Sequence, residues 1–336
     1  MKITQDGVLL CDVTLRDGNH ALRHSLRPNE VSDYCRLADS AGLFSVEVGH
    51  GNGLGASSHL VGKSAASDFD LLSAARANLL KTKLSVHVIP GFATLKRDVL
   101  PAIDLGVDIF RVAAHVTEAD VTQTHIERLS SLGANAHGVL MMSHMASIEQ
   151  LVLQAKLLES YGAAAVIFMD SAGTYRPNDV RERVRALSES LTVPIGFHAH
   201  NNLGLGVANA LTAMESGASL IDGSSMGLGA GAGNAQLEAI AANLDASAVD
   251  RDRLDAHFAM SDFVKDKFRE MLPVLSASSI GSGMVGAFSG YAPQVSQVSA
   301  ATGIPTRRIW EAIGDRKLVA GQETMIDEIA QDLMNL

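Results

Sequence analysis

Residues 8–20 read VLLCDVTLRDGNH and show the pattern that decides the fold. Apolar and β-branched side chains fill most of residues 8–15, and polar residues follow at once from Arg16 to His20. This order predicts a buried strand that ends in a polar turn, as strands of parallel sheets do when they approach a functional site.

The same pattern recurs along the chain at intervals of about 25–35 residues, the length of one βαβ unit. Helical patterns separate most of the apolar runs, at 30–41, 68–80, 120–132, 148–161, 178–191 and 206–216. Eight strands are predicted, at 8–15, 44–48, 84–89, 109–113, 137–142, 165–169, 195–199 and 220–223. They favour an α/β fold of the (β/α)₈ TIM-barrel type. A doubly wound open sheet is the alternative, but it usually needs fewer strands.

The barrel is expected to finish near residues 242–244, and the remaining sequence has no clear strand. Helical patterns occupy 254–275, 293–301, 305–313 and 322–336, with a glycine-rich segment at 281–290. We therefore predict two domains, a barrel over residues 1–262 and a small helical C-terminal domain over residues 263–336.

Composition limits the classes of function. The formal net charge is −10 and no long basic run occurs, which argues against nucleic-acid binding. The polar N-terminus does not resemble a signal peptide, and no apolar segment approaches the about 18 residues of a membrane span. Only two cysteines occur, Cys11 and Cys35, a number that suits the cytoplasm.

Polar residues cluster at the predicted strand ends. In a parallel barrel these positions all fall on the C-terminal face, where active sites lie. His50, His115 and His144 are candidates for the pocket lining, whereas the histidines without evident partners are predicted to be structural or superficial. The clustered residues include Asn52, Ser143, Asp170, Ser171 and Asn201, and the histidines without partners are His24, His59, His87, His125, His137 and His257.

The triplet His198-Ala199-His200 suggests a metal site. Alternate residues of a strand share a face, so both imidazoles point the same way. Two histidines and one carboxylate commonly bind a divalent ion, and Asp17 at the end of the first strand is the candidate carboxylate. The alternative is a pair of hydrogen-bonded core histidines.

Arg16 and His20 flank this candidate ligand. An arginine beside a metal-binding aspartate can neutralise an enolate oxygen, and a loop histidine can act as a general base near neutral pH. The alternative is an N-cap Asp17 with a structural ion pair, which leaves His20 unexplained.

The glycine-rich stretch 227–234 does not start a βαβ unit, so we expect it to frame the pocket rather than bind a dinucleotide.

Several of these segments together resemble the 4-hydroxy-2-oxovalerate aldolases. The family belongs to a wider set of metal-dependent barrel enzymes that includes hydroxymethylglutaryl-CoA lyase and isopropylmalate synthase. The resemblance implies a carbon–carbon lyase that cleaves a 4-hydroxy-2-oxo acid to pyruvate and an aldehyde, in aromatic hydrocarbon catabolism. The segments are DVTLRDGNHA (12–21), VEVGHG (46–51), LMMSHM (140–145), HAHNNL (198–203), LGAGAGNA (228–235) and GQETMI (321–326).

The resemblance also implies roles for individual residues. Asp17, His198 and His200 would hold the metal, usually Mn²⁺, with Mg²⁺ or Co²⁺ as alternatives, and the 2-oxo acid would complete its coordination. Arg16 would stabilise the enolate, and His20 would take the proton of the C4 hydroxyl. Ser171 matches a serine that contacts the substrate carboxylate. The C-terminal helices match a segment that docks an acylating aldehyde dehydrogenase.

The chain departs from the family at one position. The family pattern GVYSSF aligns with residues 283–288, GMVGAF, so Val285 occupies the substrate-contacting position of an active-site tyrosine. Tyr291 lies six residues later and is the candidate replacement catalytic hydroxyl. The change bears on substrate size, on stereochemistry at C4 and on the dehydrogenase partnership, and it favours a chain that works alone or as a homo-oligomer.

Two other functions compete with the aldolase hypothesis. The first is a Claisen-type synthase or an acyl-CoA lyase, although no extra domain for CoA or regulation is evident. The second is a degraded subunit that only docks a dehydrogenase. The intact set of Arg16, Asp17, His20, His198 and His200 argues against that alternative.

Overall fold

The computed structural model describes residues 7–244, 250–318, 322 and 324–335. The polar N-terminus, residues 1–6, lies outside this range, as do residues 245–249 of the predicted barrel. Gly321 and Glu323 of the GQETMI segment and Leu336 of the predicted last helix also lie outside the described residues.

Eight parallel strands close into a barrel in chain order, and β8 pairs with β1. Leu9 of β1 lies opposite Leu220 of β8, and Asp12 lies opposite Gly223. This closure confirms the (β/α)₈ prediction and excludes the open doubly wound sheet. The strands are β1 (Leu9–Asp12), β2 (Ser45–Glu47), β3 (Lys83–Val88), β4 (Ile109–His115), β5 (Asn135–Met141), β6 (Ala165–Asp170), β7 (Ile195–Ala199) and β8 (Leu220–Gly223).

Helices surround the barrel and build the C-terminal region. In chain order they are α1 (Gly18–Ala21), α2 (Pro28–Ala38), α3 (Asp68–Arg76), α4 (Leu100–Asp104), α5 (Gln123–Ser131), α6 (Ile148–Ser160), α7 (Pro177–Ser190), α8 (Gly206–Ser216), α9 (Leu237–Asn243), α10 (Arg251–Phe268), α11 (Ala277–Val285), α12 (Ala292–Thr302), α13 (Thr306–Arg316) and α14 (Met325–Met334). Among the described residues, no helix has the length and apolar character needed to cross a membrane.

The first strand is shorter than predicted, because the chain turns sharply after Asp12. The Asp12 carboxylate accepts hydrogen bonds from the backbone N–H and the hydroxyl of Thr14, at 2.8 and 2.5 Å. The backbone N–H of Asp17 then donates to the carbonyl of Val13 at 2.8 Å. This turn starts α1 early and places Arg16 and Asp17 at the mouth of the barrel.

The glycine-rich segment 281–290 was expected to interrupt the helices, yet α11 extends through its first half. Gly281 and Gly283 allow the close packing of this helix. A Cβ atom on Gly281 would lie 2.8 Å from the Trp310 ring, and one on Gly283 would lie 2.8 Å from Cβ of Asn202. Glycine therefore serves here to bring a helix against its neighbours.

The apolar interior of the described residues forms one large cluster around the barrel, two small clusters among the barrel strands, and a separate cluster in the tail, which we define as residues 277–335. The tail cluster contains Tyr291, Trp310 and Ile326, all almost fully buried. The predicted domain boundary between residues 262 and 263 falls inside α10, whose Val264 and Phe268 pack in the barrel cluster.

Candidate active site

Three predicted metal ligands meet at the C-terminal mouth of the barrel. Asp17 lies in the turn after β1, His198 lies in β7, and His200 directly follows β7. One potential ligand atom from each residue lies within 4.8 Å of the others, and all three residues are buried. The closed barrel thus joins residues that are separated by about 180 positions, a consequence of strands 1 and 7 flanking strand 8.

The imidazoles of this group have nitrogen atoms that fit a metal ion. Nδ1–H of His198 donates to the Asp222 carboxylate at 3.0 Å, so Nε2 carries the free lone pair. Among the described residues, neither Nε2 of His198 nor Nδ1 of His200 has a hydrogen-bond partner, although both are buried. Buried polar atoms are rarely left unpaired, and a divalent cation beside Asp17 would satisfy them.

Asp17 is held in place by its neighbours. Its carboxylate accepts hydrogen bonds from Arg16 at 2.7 Å and from the Asn234 side chain at 2.8 Å. Burial alone would raise the pKa of Asp17, but Arg16 and both histidines outweigh that effect and keep the pKa below its ordinary value. Asp17 is therefore ionised, as a metal ligand must be.

The glycine-rich loop after β8 closes around the same carboxylate. The backbone N–H of Ala230 donates to Oδ2 of Asp17 at 3.3 Å. A Cβ atom on Gly229 would lie 2.7 Å from that oxygen, so the loop needs glycine to come this close. The predicted framing role of residues 227–234 agrees with this geometry.

One nitrogen atom of the Arg16 guanidinium has no hydrogen-bond partner among the described residues. Its Nε donates to Glu47 at 2.6 Å and its Nη1 donates to Asp17 at 2.7 Å. Its Nη2 is buried and has no partner among the residues that the structure describes. A guanidinium with a free, desolvated donor suits an oxygen that becomes negative during a reaction.

His20 lies in α1, partly buried, with its ring against Gly51. Burial lowers the pKa of His20 to about 4, the nearby Asp17 carboxylate opposes this shift, and Arg16 reinforces it. The imidazole is therefore neutral at neutral pH and can accept a proton.

Two further histidines extend the group beyond His20. The rings of His24 and His50 stack with centroids 3.6 Å apart, and His24 lies edge-on to His20 at 5.4 Å. His50 was predicted to line the pocket, whereas His24 was assigned a structural or surface position. The four-residue spacing of His20 and His24 was the only signal in the sequence for their proximity.

Other predicted residues occupy different surroundings. Ser171 Oγ accepts a hydrogen bond from the backbone N–H of Met142 at 2.9 Å, and Met142 has a left-handed φ of 54°. Nε2–H of His144 donates to the Gly286 carbonyl at 2.8 Å and so links the barrel to the tail. Nδ1 of His115 lies 2.8 Å from the Thr117 hydroxyl.

Val285 and Tyr291, the two residues that were compared with the family's active-site tyrosine, both lie in the tail. A Cβ atom on Gly314 would lie 2.7 Å from Cβ of Val285, so this valine packs towards α13. Tyr291 is fully buried in the tail cluster, and its ring stands edge-on to Phe288. The substrate-binding role of Val285 and the catalytic role of Tyr291 both stay predictions.

Three charged residues beside the candidate active site were not singled out from the sequence. Glu47, Arg111 and Asp222 are buried charged residues inside β2, β4 and β8, and they pair with each other or with the site. Charged residues within otherwise apolar strands were the available signal, because an unpaired charge is too costly to bury.

The barrel and its site define the class of this protein. Residues 7–264 match the HMGL-like family, and residues 273–335 match the DmpG-like communication domain. Because the first match alone covers more than half of the chain, the protein is a member of the HMGL-like barrel family.

Similar sequences narrow the assignment. The chain is 50% identical over 331 residues to a 4-hydroxy-2-oxovalerate aldolase of Spirochaeta aurantia, covering 97% of this chain and 96% of that protein. It is 48% identical over 331 residues to the enzyme of that name from Pectobacterium atrosepticum, covering 97% of this chain and 95% of the relative. The chain belongs to the 4-hydroxy-2-oxovalerate aldolase family, and the prediction of a carbon–carbon lyase is confirmed.

Solved structures support the fold alone. The carboxyl transferase domain of Rhizobium etli pyruvate carboxylase matches with a TM-score of 0.78 at 17% identity, over 97% of this chain and 60% of that one. The N-terminal domain of a putative aldolase from Bacteroides vulgatus matches with a TM-score of 0.73 at 24% identity, over 87% of this chain and 97% of that one.

Proposed function

We propose that the protein cleaves a 4-hydroxy-2-oxo acid such as 4-hydroxy-2-oxovalerate to pyruvate and an aldehyde, and catalyses the reverse addition. The observation that carries this proposal is the position of Arg16 and His20 beside the group of Asp17, His198 and His200. The names of the similar enzymes support the same reaction.

Asp17, His198 and His200 would hold a divalent ion, and we propose Mn²⁺, with Mg²⁺ or Co²⁺ as alternatives. One carboxylate and two imidazoles form a ligand set of intermediate hardness, which suits these ions. When bound, such an ion would act as a Lewis acid on the substrate's 2-oxo group and carboxylate. His198 would then also contribute to substrate binding through its place in the ligand set.

His20 and Arg16 divide the work of bond cleavage. Neutral His20 takes the proton of the C4 hydroxyl, the C4 carbonyl forms, and the C3–C4 bond breaks with its electron pair moving into the pyruvate enolate. The guanidinium of Arg16 neutralises the negative oxygen of that enolate. Transfer of that proton from His20 to C3, directly or through solvent water, then gives pyruvate and restores neutral His20, and the reverse sequence adds pyruvate to an aldehyde.

Ser171 is our candidate for the substrate carboxylate. Its oxygen accepts a hydrogen bond from the Met142 backbone, so its own hydrogen can be donated to an anion.

We retain Tyr291 as the candidate hydroxyl in place of the family tyrosine, with Val285 enlarging the space for the aldehyde portion. A Tyr291→Phe variant with unchanged C4 stereochemistry and kcat would contradict that assignment.

The tail is our candidate for a partner interface. Its match to a DmpG-like communication domain supports an acylating aldehyde dehydrogenase as partner, against the stand-alone chain favoured by the Val285 substitution. The Val274 and Met284 side chains are 72% and 65% exposed, leaving apolar surface near the tail.

The two cysteines are buried and free, which supports a cytoplasmic location, and the family resemblance supports a role in aromatic hydrocarbon catabolism.

A pyruvate-release assay tests the proposed reaction. Purified protein with Mn²⁺ should release pyruvate from 4-hydroxy-2-oxovalerate, and should release no CoA from acetyl-CoA mixed with a 2-oxo acid. CoA release without pyruvate formation would favour the Claisen-type synthase. Absence of both activities, with stable binding to an acylating aldehyde dehydrogenase, would favour the docking subunit. Light scattering would separate that complex from a homo-oligomer.

A further inference from the structure

A single buried arginine connects the two sides of the active site. Arg111 lies in β4, away from the candidate metal ligands in sequence. Its Nη1 donates to Oε2 of Glu47 at 2.6 Å, and its Nη2 donates to Oδ2 of Asp222 at 2.5 Å. One guanidinium thus joins carboxylates from β2 and β8.

Each of these carboxylates also accepts a hydrogen bond from a residue of the candidate active site. Oε1 of Glu47 accepts from Nε of Arg16 at 2.6 Å, and Oδ2 of Asp222 accepts from Nδ1 of His198 at 3.0 Å. We propose that Arg111 is a positioning residue that orients Arg16 and His198 together, through these two carboxylates. The hydrogen bonds of its guanidinium go to these two carboxylates, so the role that we assign to Arg111 is indirect.

The arrangement is buried and selective for arginine. The side chains of Arg111, Glu47 and Asp222 are exposed by only 3%, 1% and 2%. Removing one partner of such a set leaves an unpaired charge in the interior. A planar guanidinium can bind two carboxylates through separate nitrogens, whereas a lysine offers one nitrogen on a flexible stem.

The charge of the group also fits a cation. Arg16 and Arg111 supply two positive charges, and Asp17, Glu47 and Asp222 supply three negative ones. One negative charge remains next to the imidazoles of His198 and His200. Arg111 therefore limits the excess negative charge of the site as well as shaping its geometry, and the remaining negative charge favours the binding of a cation.

Metal binding tests the inference first. Titration calorimetry with Mn²⁺ on the metal-free protein should show an affinity loss of about 10–100-fold for Arg111→Met, the usual effect of disturbing a ligand's supporting hydrogen bonds. Arg111→Lys should retain the charge and fold but still bind Mn²⁺ more weakly than wild type. Arg183→Met, which removes a partly buried arginine stacked on Tyr175 in α7, should bind Mn²⁺ normally.

Kinetics and double variants then separate positioning from general stability. At saturating Mn²⁺, Arg111→Met should lower kcat by about 10²-fold, because a small misplacement of Arg16 is costly, with a smaller change in KM. The effect of Arg111→Met on Mn²⁺ affinity should largely disappear in an Asp222→Asn background, and its effect on kcat should shrink in a Glu47→Gln background.

The kinetic part rests on the proposed function, but the calorimetry does not. Wild-type affinity for Mn²⁺ in both folded Arg111 variants would overturn the inference, even if the aldolase reaction is confirmed. If Arg111→Met does not fold, the affinity of Arg111→Lys decides. Weaker Mn²⁺ binding in the variants of a protein that releases no pyruvate would uphold the positioning role and reject the reaction.

Discussion

Gly51 packs directly against the imidazole of His20. A Cβ atom at position 51 would lie 2.6 Å from three atoms of that ring, far closer than van der Waals contact. Gly51 follows β2 and His20 lies in α1, so the loops after the first two strands together determine where the proposed base lies.

Gly51→Ala should therefore displace His20 without touching the metal ligands. We expect kcat for pyruvate release to fall by about 10²-fold, the effect of a misplacement of about 1 Å in a catalytic group. Mn²⁺ affinity measured by calorimetry should stay at the wild-type value. Gly7→Ala is the matched control, because among the described residues, its chain neighbours apart, no atom lies within 4 Å of a Cβ there. An active Gly51→Ala enzyme would show that His20 tolerates movement.

His20→Ala should lower kcat for cleavage by about 10²–10⁴-fold, the usual contribution of a general base. Because the pKa of His20 is lowered to about 4, its acidic limb in kcat/KM should lie well below pH 6.5 and should vanish in the variant. The exposed His59→Ala serves as control. A pH profile shared by wild type and His20→Ala would assign the base to another group.

Chelation should abolish pyruvate release, and added Mn²⁺ should restore it. Alanine at Asp17, His198 or His200 should weaken Mn²⁺ binding strongly, since two remaining ligands hold an ion poorly. Mn²⁺ should also raise the Tm of the wild type more than that of these variants, because a ligand that binds only the folded state stabilises it. Full activity after exhaustive chelation rules out the metal site.

The stability of the fold should depend on His257 in mild acid. Burial lowers the pKa of His257 to about 4 from an ordinary 6.5. The unfolded chain takes up the proton below pH 6.5 while the folded chain does not, so this group's contribution is fully present above pH 6.5 and is lost as the pH falls towards 4.

Unfolding in urea across this window checks the effect. Between pH 6.5 and 4 the free energy of unfolding of the wild type should fall by about 3 kcal/mol because of His257 alone. His257→Gln should lack this part of the dependence of the unfolding free energy on pH. His59→Gln should keep the full slope, because His59 is exposed. Parallel curves for wild type and His257→Gln would show that the folded state accommodates the charge.

Removing residues after 321 should loosen the tail and spare the barrel. The apolar stripe of α14 was expected to pack on the barrel or on a partner, but Ile326 and Ile329 pack in the tail cluster with Trp310. Trp310 is the only tryptophan and is almost fully buried, so its fluorescence reports on the tail alone.

The emission of Trp310 should shift to the red in the truncated chain, while pyruvate release continues. Loss of the dehydrogenase complex without a fluorescence shift would instead make α14 an interface helix. Full-length protein bearing Met334→Ala is the control, since that exposed side chain lies outside the tail cluster.

The sequence by itself determined the eight-strand barrel, because a buried parallel strand needs a nearly continuous apolar run and a polar turn wherever it ends. It also determined the candidate ligands Asp17, His198 and His200, since they occupy strand ends that a barrel must place on one face. The family resemblance came from the same segments, and the similar proteins confirm it.

Only the tertiary structure decided how these residues are held. Glu47, Arg111 and Asp222 lie on three separate strands, and nothing local in the sequence shows that their charges pair across the barrel. The contact of Gly51 with His20 depends in the same way on two loops meeting. Pairing between distant segments is set by the register and closure of the sheet, which no short stretch of sequence encodes alone.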